Sequence, residues 1–160
     1  MEAQEIAAAV GHIPSGLFVV TTKSPEGIEG YLASWVQQVS FNPLMISLAI
    51  NPDRPGYETI KKGGVFTVNV VGDHSANYLK HFWSGFDHAN NPFTKGEINH
   101  RVTEDGAVII EEAKSTIECE FVSSTNPGDH EILVARVVQS HVQNDEAKPK
   151  VHIRKSGLDY

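Results

Sequence analysis

Three short stretches carry the residues best suited to chemistry. Gly128-Asp129-His130 follows a turn and stands at the entrance of an expected strand. Glycine permits the sharp bend, aspartate can hydrogen-bond nearby amides, and the imidazole is delivered to the strand end. A ring placed there could contact a phosphate, a carboxamide or a hydride-transfer centre. Read for its backbone alone, the same stretch is an Asx-turn that stabilises a hairpin. The second stretch is Tyr31-Leu32-Ala33-Ser34-Trp35-Val36-Gln37-Gln38-Val39-Ser40-Phe41-Asn42-Pro43, which is less regular than a core strand. Small Ala33 and Ser34 let a flat ring approach the backbone, whose N–H and C=O groups can pair with its polar edge, and Gln38 and Ser40 add side-chain donors. It reads equally as a bent strand with a polar edge. In the third, Asn51-Pro52-Asp53-Arg54-Pro55, a cation precedes a short helix. Arg54 and the helix amides suit a phosphate, or Arg54 is a solvated loop residue.

The histidines do not make a metal centre. His74, His81 and His88 are evenly spaced, but Gly85 and the loop over residues 87–92 break any helix that would align them. There is no H-E-x-x-H, and with Cys119 the only cysteine a thiolate cluster and an internal disulfide are excluded. Ile117-Glu118-Cys119-Glu120-Phe121 alternates as a strand does, which turns Cys119 inward as a structural thiol. Neither a G-x-G-x-x-G after a strand nor a phosphate-cradling G-x-x-x-x-G-K-[ST] loop is present, so any nucleotide is held in another way.

What must position these residues is a set of short strands. Residues 17–22, 28–35, 44–50, 65–71, 115–123, 131–142 and 151–154 read as strands, and 2–12, 57–62 and 75–83 as helices. This pattern gives a mainly β chain, a β-barrel with short helices, in one domain over 1–160. Forty per cent hydrophobic and 21% charged residues exclude wholesale disorder, and a net charge of −7 disfavours a broad nucleic-acid footprint. No apolar run approaches the ~20 residues that span a bilayer. The start, Met1-Glu2-Ala3-Gln4-Glu5, is acidic where a secretion signal is basic, so a cytoplasmic protein without membrane association is expected. The cationic tail, His152-Ile153-Arg154-Lys155-Ser156-Gly157-Leu158-Asp159-Tyr160, reads by default as a frayed terminus, while Tyr160 and the cation pair hint that it folds back onto the body.

Taken in order, these pieces resemble the flavin reductase-like, FMN-binding split-barrel family. The resemblance rests on Ser15-Gly16-Leu17-Phe18-Val19-Val20-Thr21-Thr22, Gly30-Tyr31-Leu32-Ala33-Ser34, Val39-Ser40-Phe41-Asn42-Pro43, Phe66-Thr67-Val68-Asn69-Val70, the Gly-Asp-His strand opening and the tail. A closer likeness is to the C-terminal reductase module of the flavodiiron proteins of oxygenic phototrophs. The chain length then suggests a free-standing relative of that module.

The resemblance implies a Greek-key split barrel and a homodimer, with FMN or FAD as cofactor and NAD(P)H as reductant. It places isoalloxazine contacts on Leu32, Ala33, Ser34, Trp35, Val36, Gln38, Val39 and Ser40. The phosphate side falls on Asp53, Arg54 and Pro55, helped by Phe82, Ser84 and Gly85. His130 takes the nicotinamide-positioning role. Leu32, Trp35 and Val36 depart from the family's usual Thr, small residue and Phe, and Trp35 is bulky enough to stack on the ring or to block it. The implied reaction passes hydride from nicotinamide C4 to flavin N5, with no nucleophile or metal required. Electrons then leave with the flavin or pass to a redox partner protein. Two other classes fit the residues: a flavin-binding electron carrier with no nicotinamide step, and a non-redox ligand-binding barrel.

Overall fold

A helix opens the described chain and a run of strands follows it. The computed structural model describes residues 3–159, so Met1, Glu2 and the terminal Tyr160 lie outside the described residues. Helix α1 (Ala3–Gly11) precedes β1 (Ser15–Gly16), β2 (Phe18–Ser24), β3 (Gly27–Ala33), β4 (Val36–Phe41) and β5 (Leu44–Ile50). Then come α2 (Tyr57–Lys61), β6 (Val65–Val70), two short 3-10 helices (Asn77–His81 and His88–Asn90), β7 (His100–Val102) and β8 (Val108–Ile110). The long strands β9 (Ser115–Thr125) and β10 (Glu131–Val142) and the short β11 (Val151–His152) complete the chain.

Seven strands form one antiparallel sheet in the order β3-β2-β6-β9-β10-β5-β4. β5 and β6 are consecutive strands, yet the β9–β10 hairpin lies between them, which is a Greek-key crossover. The sheet's two edges, β3 and β4, are joined through Ser34-Trp35 but are not neighbours in the ladder. The sheet is therefore a split barrel, and the split begins at Ser34-Trp35. Where a ladder ends, side chains and backbone groups become available to something other than the next strand. Trp35 stays tied to the sheet through its carbonyl, which accepts from the Ala49 N–H at 3.0 Å.

The period-two alternation of the strands fills the barrel. Val20, Tyr31, Leu48, Ile50, Phe66, Val68 and Leu133 are buried inside it, and Ile60 of α2 plugs one end. Each such side chain contributes about 1.5–3 kcal/mol by leaving water. Cys119 belongs to this core, fully buried, and burial pushes its thiol up to about 12. It is a structural thiol, as its alternating neighbours imply.

A second apolar cluster sits on the outer face of β2 and β6. The excursion over residues 71–113 supplies it, through Tyr78, Leu79, Phe82, Phe93, Ile98, Val108 and Ile110 against Val19. Gly30 allows this cover, because a Cβ there would lie 2.9 Å from the Phe82 ring. Asn69 pins the excursion: its Nδ2 donates to the Val19 carbonyl (3.0 Å) and to Thr21 Oγ1 (2.9 Å), while its Oδ1 accepts from the Ile110 N–H (2.9 Å).

The expected helix over 75–83 is instead the five-residue 3-10 helix Asn77–His81. Burial of Tyr78, Leu79 and Phe82 holds that segment, rather than a long run of helical hydrogen bonds. His81 and His88 stand on different short helices and meet different carboxylates, Glu97 at 3.4 Å and Glu29 at 3.0 Å. The tail does fold back. β11 pairs with β1, the Arg154 N–H donates to the Gly11 carbonyl, and the Gly157 N–H donates to the Ala7 carbonyl.

Candidate functional site

The split between β3 and β4 opens onto a cleft of about 440 Å³. Leu32, Ala33 and Ser34 from the end of β3 form one wall, and Leu17 lies beside them. Leu79, Phe82 and Trp83 from the excursion face them. Arg54 from the loop before α2, with Lys150 and His152 from the tail, adds cationic and polar groups. No carboxylate is among these lining residues.

Ser34 is the residue to which the local chemistry points most sharply. It is 5% exposed, and among the described residues its Oγ has no hydrogen-bond partner. A buried hydroxyl left unpaired costs roughly 1–3 kcal/mol, so such an atom in a cleft-lining residue is one a ligand could satisfy. The cleft's size and character, apolar walls with few polar groups, match a small-molecule or cofactor site. These residues would fit a flavin: the apolar groove could take its ring, Ser34 Oγ could hydrogen-bond its polar edge, and Arg54 could meet its phosphate.

Arg54 also lines an adjoining hollow of about 250 Å³ together with Asp53 and Pro55. The loop that carries it is set locally: Asn51 Oδ1 accepts from the Asp53 N–H at 2.9 Å, and the Asn51 carbonyl accepts from the Arg54 N–H at 2.9 Å. This Asx-turn aims the arginine between the two hollows.

The other expected site residues are distributed around the cleft. Trp35 does not line it. Its ring lies in neighbouring hollows, 4.9 Å from the His130 ring and with the Arg154 guanidinium 5.1 Å from its centroid. The indole thus neither forms a cleft wall nor fills the cleft. Val36 and Gln38 border a separate hollow of about 340 Å³ beside Phe18, Ile46 and Val137. Val39 and Ser40 lie further along β4, with Val39 52% exposed, and Ser84 and Gly85 are solvent-exposed beyond Phe82.

His130 stands at the start of β10 in a hollow with Trp35, Ala49 and Ile132. Its Nδ1 is 2.8 Å from Asp129 Oδ1, and this hydrogen bond is the first cause holding the Asp129 carboxyl below the usual carboxylate range. The turn thus delivers the imidazole to the start of β10, with Asp129 orienting the ring.

The next residue, Glu131, anchors that strand. Its carboxylate accepts from the Lys61 ammonium and the Tyr57 hydroxyl, and these contacts with Ser124 bring it down to about 2. A carboxyl whose folded pKa is depressed stabilises the fold above its ordinary value and loses that contribution as acid protonates it. Stability should therefore fall as pH drops from about 4.5 to about 2. Glu131→Gln should flatten this acid limb in urea-denaturation midpoints and cost about 2 kcal/mol at neutral pH. An unchanged acid limb would contradict this role.

Leu17, Leu79, Lys150 and His152 line the cleft although nothing in the sequence marks them individually, while Trp83 falls inside the 82–85 stretch to which the resemblance points. Only the tail's positive charge hints at His152.

Known proteins carry the same design. The solved structure of the Streptomyces globisporus NADH:FAD oxidoreductase SgcE6, in complex with NAD and FAD fragments, superposes with a TM-score of 0.79 at 22% identity, covering 94% of this chain and 86% of that one. The flavin reductase HpaC complexed with NADP+ superposes at 0.77 and 21% identity, covering 96% and 95%. At these identities the likeness is one of fold. In sequence, the chain is 31% identical over 157 residues to diflavin flavoprotein A 1 of Synechocystis, covering 98% of this chain and 27% of that protein. It is 34% identical over 160 residues to a diflavin flavoprotein A relative of Nostoc, covering 99% of this chain and 28% of the relative. The chain thus spans little more than a quarter of the length of these curated relatives. The family model described as flavin reductase like domain matches residues 10–157, taking in the split, the cleft and the tail alike, and to that family this chain belongs.

Proposed function

We propose that this chain, as a single domain, is a flavin-dependent oxidoreductase that holds FMN or FAD in the cleft at Leu32-Ala33-Ser34 and reduces it with NADH or NADPH. The observation that carries the reading is the Ser34 hydroxyl, buried and unpaired on a cleft lined by apolar groups and cations. Membership of the flavin reductase-like family supports it. When bound, the flavin supplies a ring that accepts hydride from nicotinamide and passes electrons onward.

The chain's own residues bind, orient and exclude water. Ala33 lets a planar ring reach the backbone, and Ser34 hydrogen-bonds its polar edge. Leu17, Leu79 and Phe82 keep the cleft dry, which strengthens every polar contact within it. Arg54, steered by the Asn51 turn and flanked by Asp53 and Pro55, neutralises the phosphate. His130, held by Asp129 and flanked by Trp35, positions the nicotinamide and needs no acid–base function. Pairing into a homodimer is part of the proposal, and exposed Val39, Phe41 and Leu44 around the β4–β5 turn supply an apolar contact face.

The visible spectrum of the purified protein, before and after mixing with FMN, tests flavin binding. A protein that shows no affinity for FMN or FAD would overturn the proposal. Anaerobic NADH and NADPH should then bleach the bound flavin; if neither does, the chain is an electron carrier. His130→Ala should weaken nicotinamide binding about tenfold while flavin affinity stays within about twofold. Equal loss of both, or of neither, would remove His130 from its role.

A further inference from the structure

Helix α1 is nine residues long, and isolated helices shorter than about 12 residues are marginal in water. Contacts must hold it folded, yet it belongs to neither apolar cluster. Among the described residues no side-chain hydrogen bond or ion pair ties it to the sheet. Ile6 and Val10 are exposed, and the buried residues of α1 are Ala7 and Gly11. Both meet the other end of the chain. The Ala7 carbonyl accepts from the Gly157 N–H, and the Gly11 carbonyl accepts from the Arg154 N–H at 3.2 Å. The backbones approach so closely that a Cβ on Gly157 would lie 2.6 Å from Val10 Cβ, and one on Gly11 2.8 Å from the Ser156 nitrogen.

The tail is anchored up to β11 and lightly held beyond it. The Lys150 N–H donates to the Val71 carbonyl at 2.8 Å, and β11 pairs with β1 through Ser15–His152 and Gly16–Val151. Past that pair Ile153 and Leu158 are exposed, and the backbone N–H groups of Arg154 and Gly157 go to α1. Arg154 also reaches the sheet: its guanidinium stands 5.1 Å from the centroid of Trp35, whose ring is 4.9 Å from that of His130.

Between these two segments and the sheet lies a hollow of about 630 Å³. Val10, Ile13 and Arg154 wall it on one side, Trp35, Ala49 and Ile132 on the other, and it shares Ser34 and Lys150 with the cleft. A helix too short to stand alone, and a tail whose backbone hydrogen bonds go to that helix, must open together. With so few apolar contacts, such a unit opens far more readily than the barrel unfolds. We propose that α1 and residues 153–159 form a clasp that swings as one unit on the β1–β11 pair, with Arg154 on Trp35 as its catch, and that this clasp gates the hollow beside Ser34. Opening removes one wall of the hollow and frees Trp35 from Arg154 while the sheet stays intact. The device does not depend on which ligand the cleft holds.

Hydrogen exchange followed by mass spectrometry on the full chain tests the coupling, with peptides over residues 3–13, 153–159 and 131–142. In the wild type the first two should exchange together, at least about a hundredfold faster than β10. Gly157→Val unseats the tail and should speed exchange in α1 about tenfold; Gly11→Val, made on the helix side, should do the same to the tail. Arg154→Gln keeps both backbones and removes the catch, so it should speed both segments about three- to tenfold. Exchange in β10 should stay within about twofold in all three. Acrylamide quenching of Trp35, read in a Trp83→Phe background that leaves one indole, tests the gate. Its quenching constant should rise about two- to threefold in each variant. Exchange that rises in one segment without the other, or wild-type exchange in all three variants, would overturn the clasp. Unchanged Trp35 quenching in variants whose segments exchange faster would overturn the gate. Neither readout uses flavin, so these failures are distinct from failure of the oxidoreductase reading.

Discussion

Arg54→Ala is expected to weaken FMN binding about ten- to a hundredfold and to leave riboflavin binding nearly unchanged. A charge-assisted hydrogen bond to a phosphate contributes roughly 1.5–3 kcal/mol, and each 1.4 kcal/mol is about a factor of ten in affinity. Riboflavin has the ring without the phosphate, so it reports the apolar walls and Ser34 alone. Arg54→Lys should recover part of the loss, because a point charge replaces a planar fork. Fluorescence-quenching titrations of both ligands measure the difference. Equal loss for FMN and riboflavin would show that Arg54 supports the loop rather than the ligand. That outcome is distinguishable because the Asn51 turn is built from backbone and Asn51 groups, which the substitution leaves in place.

Asn69→Leu should be the most damaging single change to the fold. Asn69 is fully buried and joins three segments: β6, which carries it, β2 through Val19 and Thr21, and β8 through Ile110. Thr21 Oγ1 extends the chain of bonds to the Val108 carbonyl at 2.6 Å. Leucine has a similar volume but can neither donate nor accept, so buried backbone groups lose their partners at about 1–3 kcal/mol each. The expected cost is about 3–5 kcal/mol, or a fall in Tm on the order of 10 °C, followed by circular dichroism during heating. Thr21→Val should cost less, since the bonds from Asn69 to Val19 and Ile110 survive it. A loss below about 1 kcal/mol for Asn69→Leu would refute this account. The excursion that Asn69 pins also brings Leu79 and Phe82 to the cleft, so the same change should loosen flavin binding.

The strands were legible to the extent that one of their faces is dry. β5 and β10 have the bounds their alternation implies, 44–50 and 131–142. β4 shows in the sequence only as a bent stretch with a polar edge, because Gln37, Gln38 and Val39 are all exposed on a sheet-edge strand and show no buried face. β7 and β8 are three residues each, too short for a period to register. The segment over 75–83 has apolar residues at helical spacing, but Trp83 is 71% exposed and only part of the pattern faces the core.

The candidate site was legible in the same partial way. Leu32-Ala33-Ser34 and Arg54 were marked by type and local geometry, and the structure brings them to one cleft. Trp35 is adjacent to Ser34 in sequence yet faces away from that cleft, toward His130 and Arg154. Ser34 and Trp35 lie between the end of β3 and the start of β4, where the chain leaves one edge of the sheet for the other, so neighbours in sequence there need not share a site.

By itself the sequence determined the all-important alternation: a mainly β barrel, an inert Cys119 inside it, and an ordered set of motifs shared with the flavin reductase-like family. These are properties of residue type and short-range spacing, which a linear chain displays directly. The tertiary structure alone decided that Leu17, Leu79, Lys150 and His152 would meet Ser34, and that its hydroxyl would be buried without a partner among the described residues. Those residues lie on segments far apart in the chain, and no local period relates them. They are brought together by the Greek-key crossover, by the burial of the outer cluster against β2 and β6, and by the tail docking on α1.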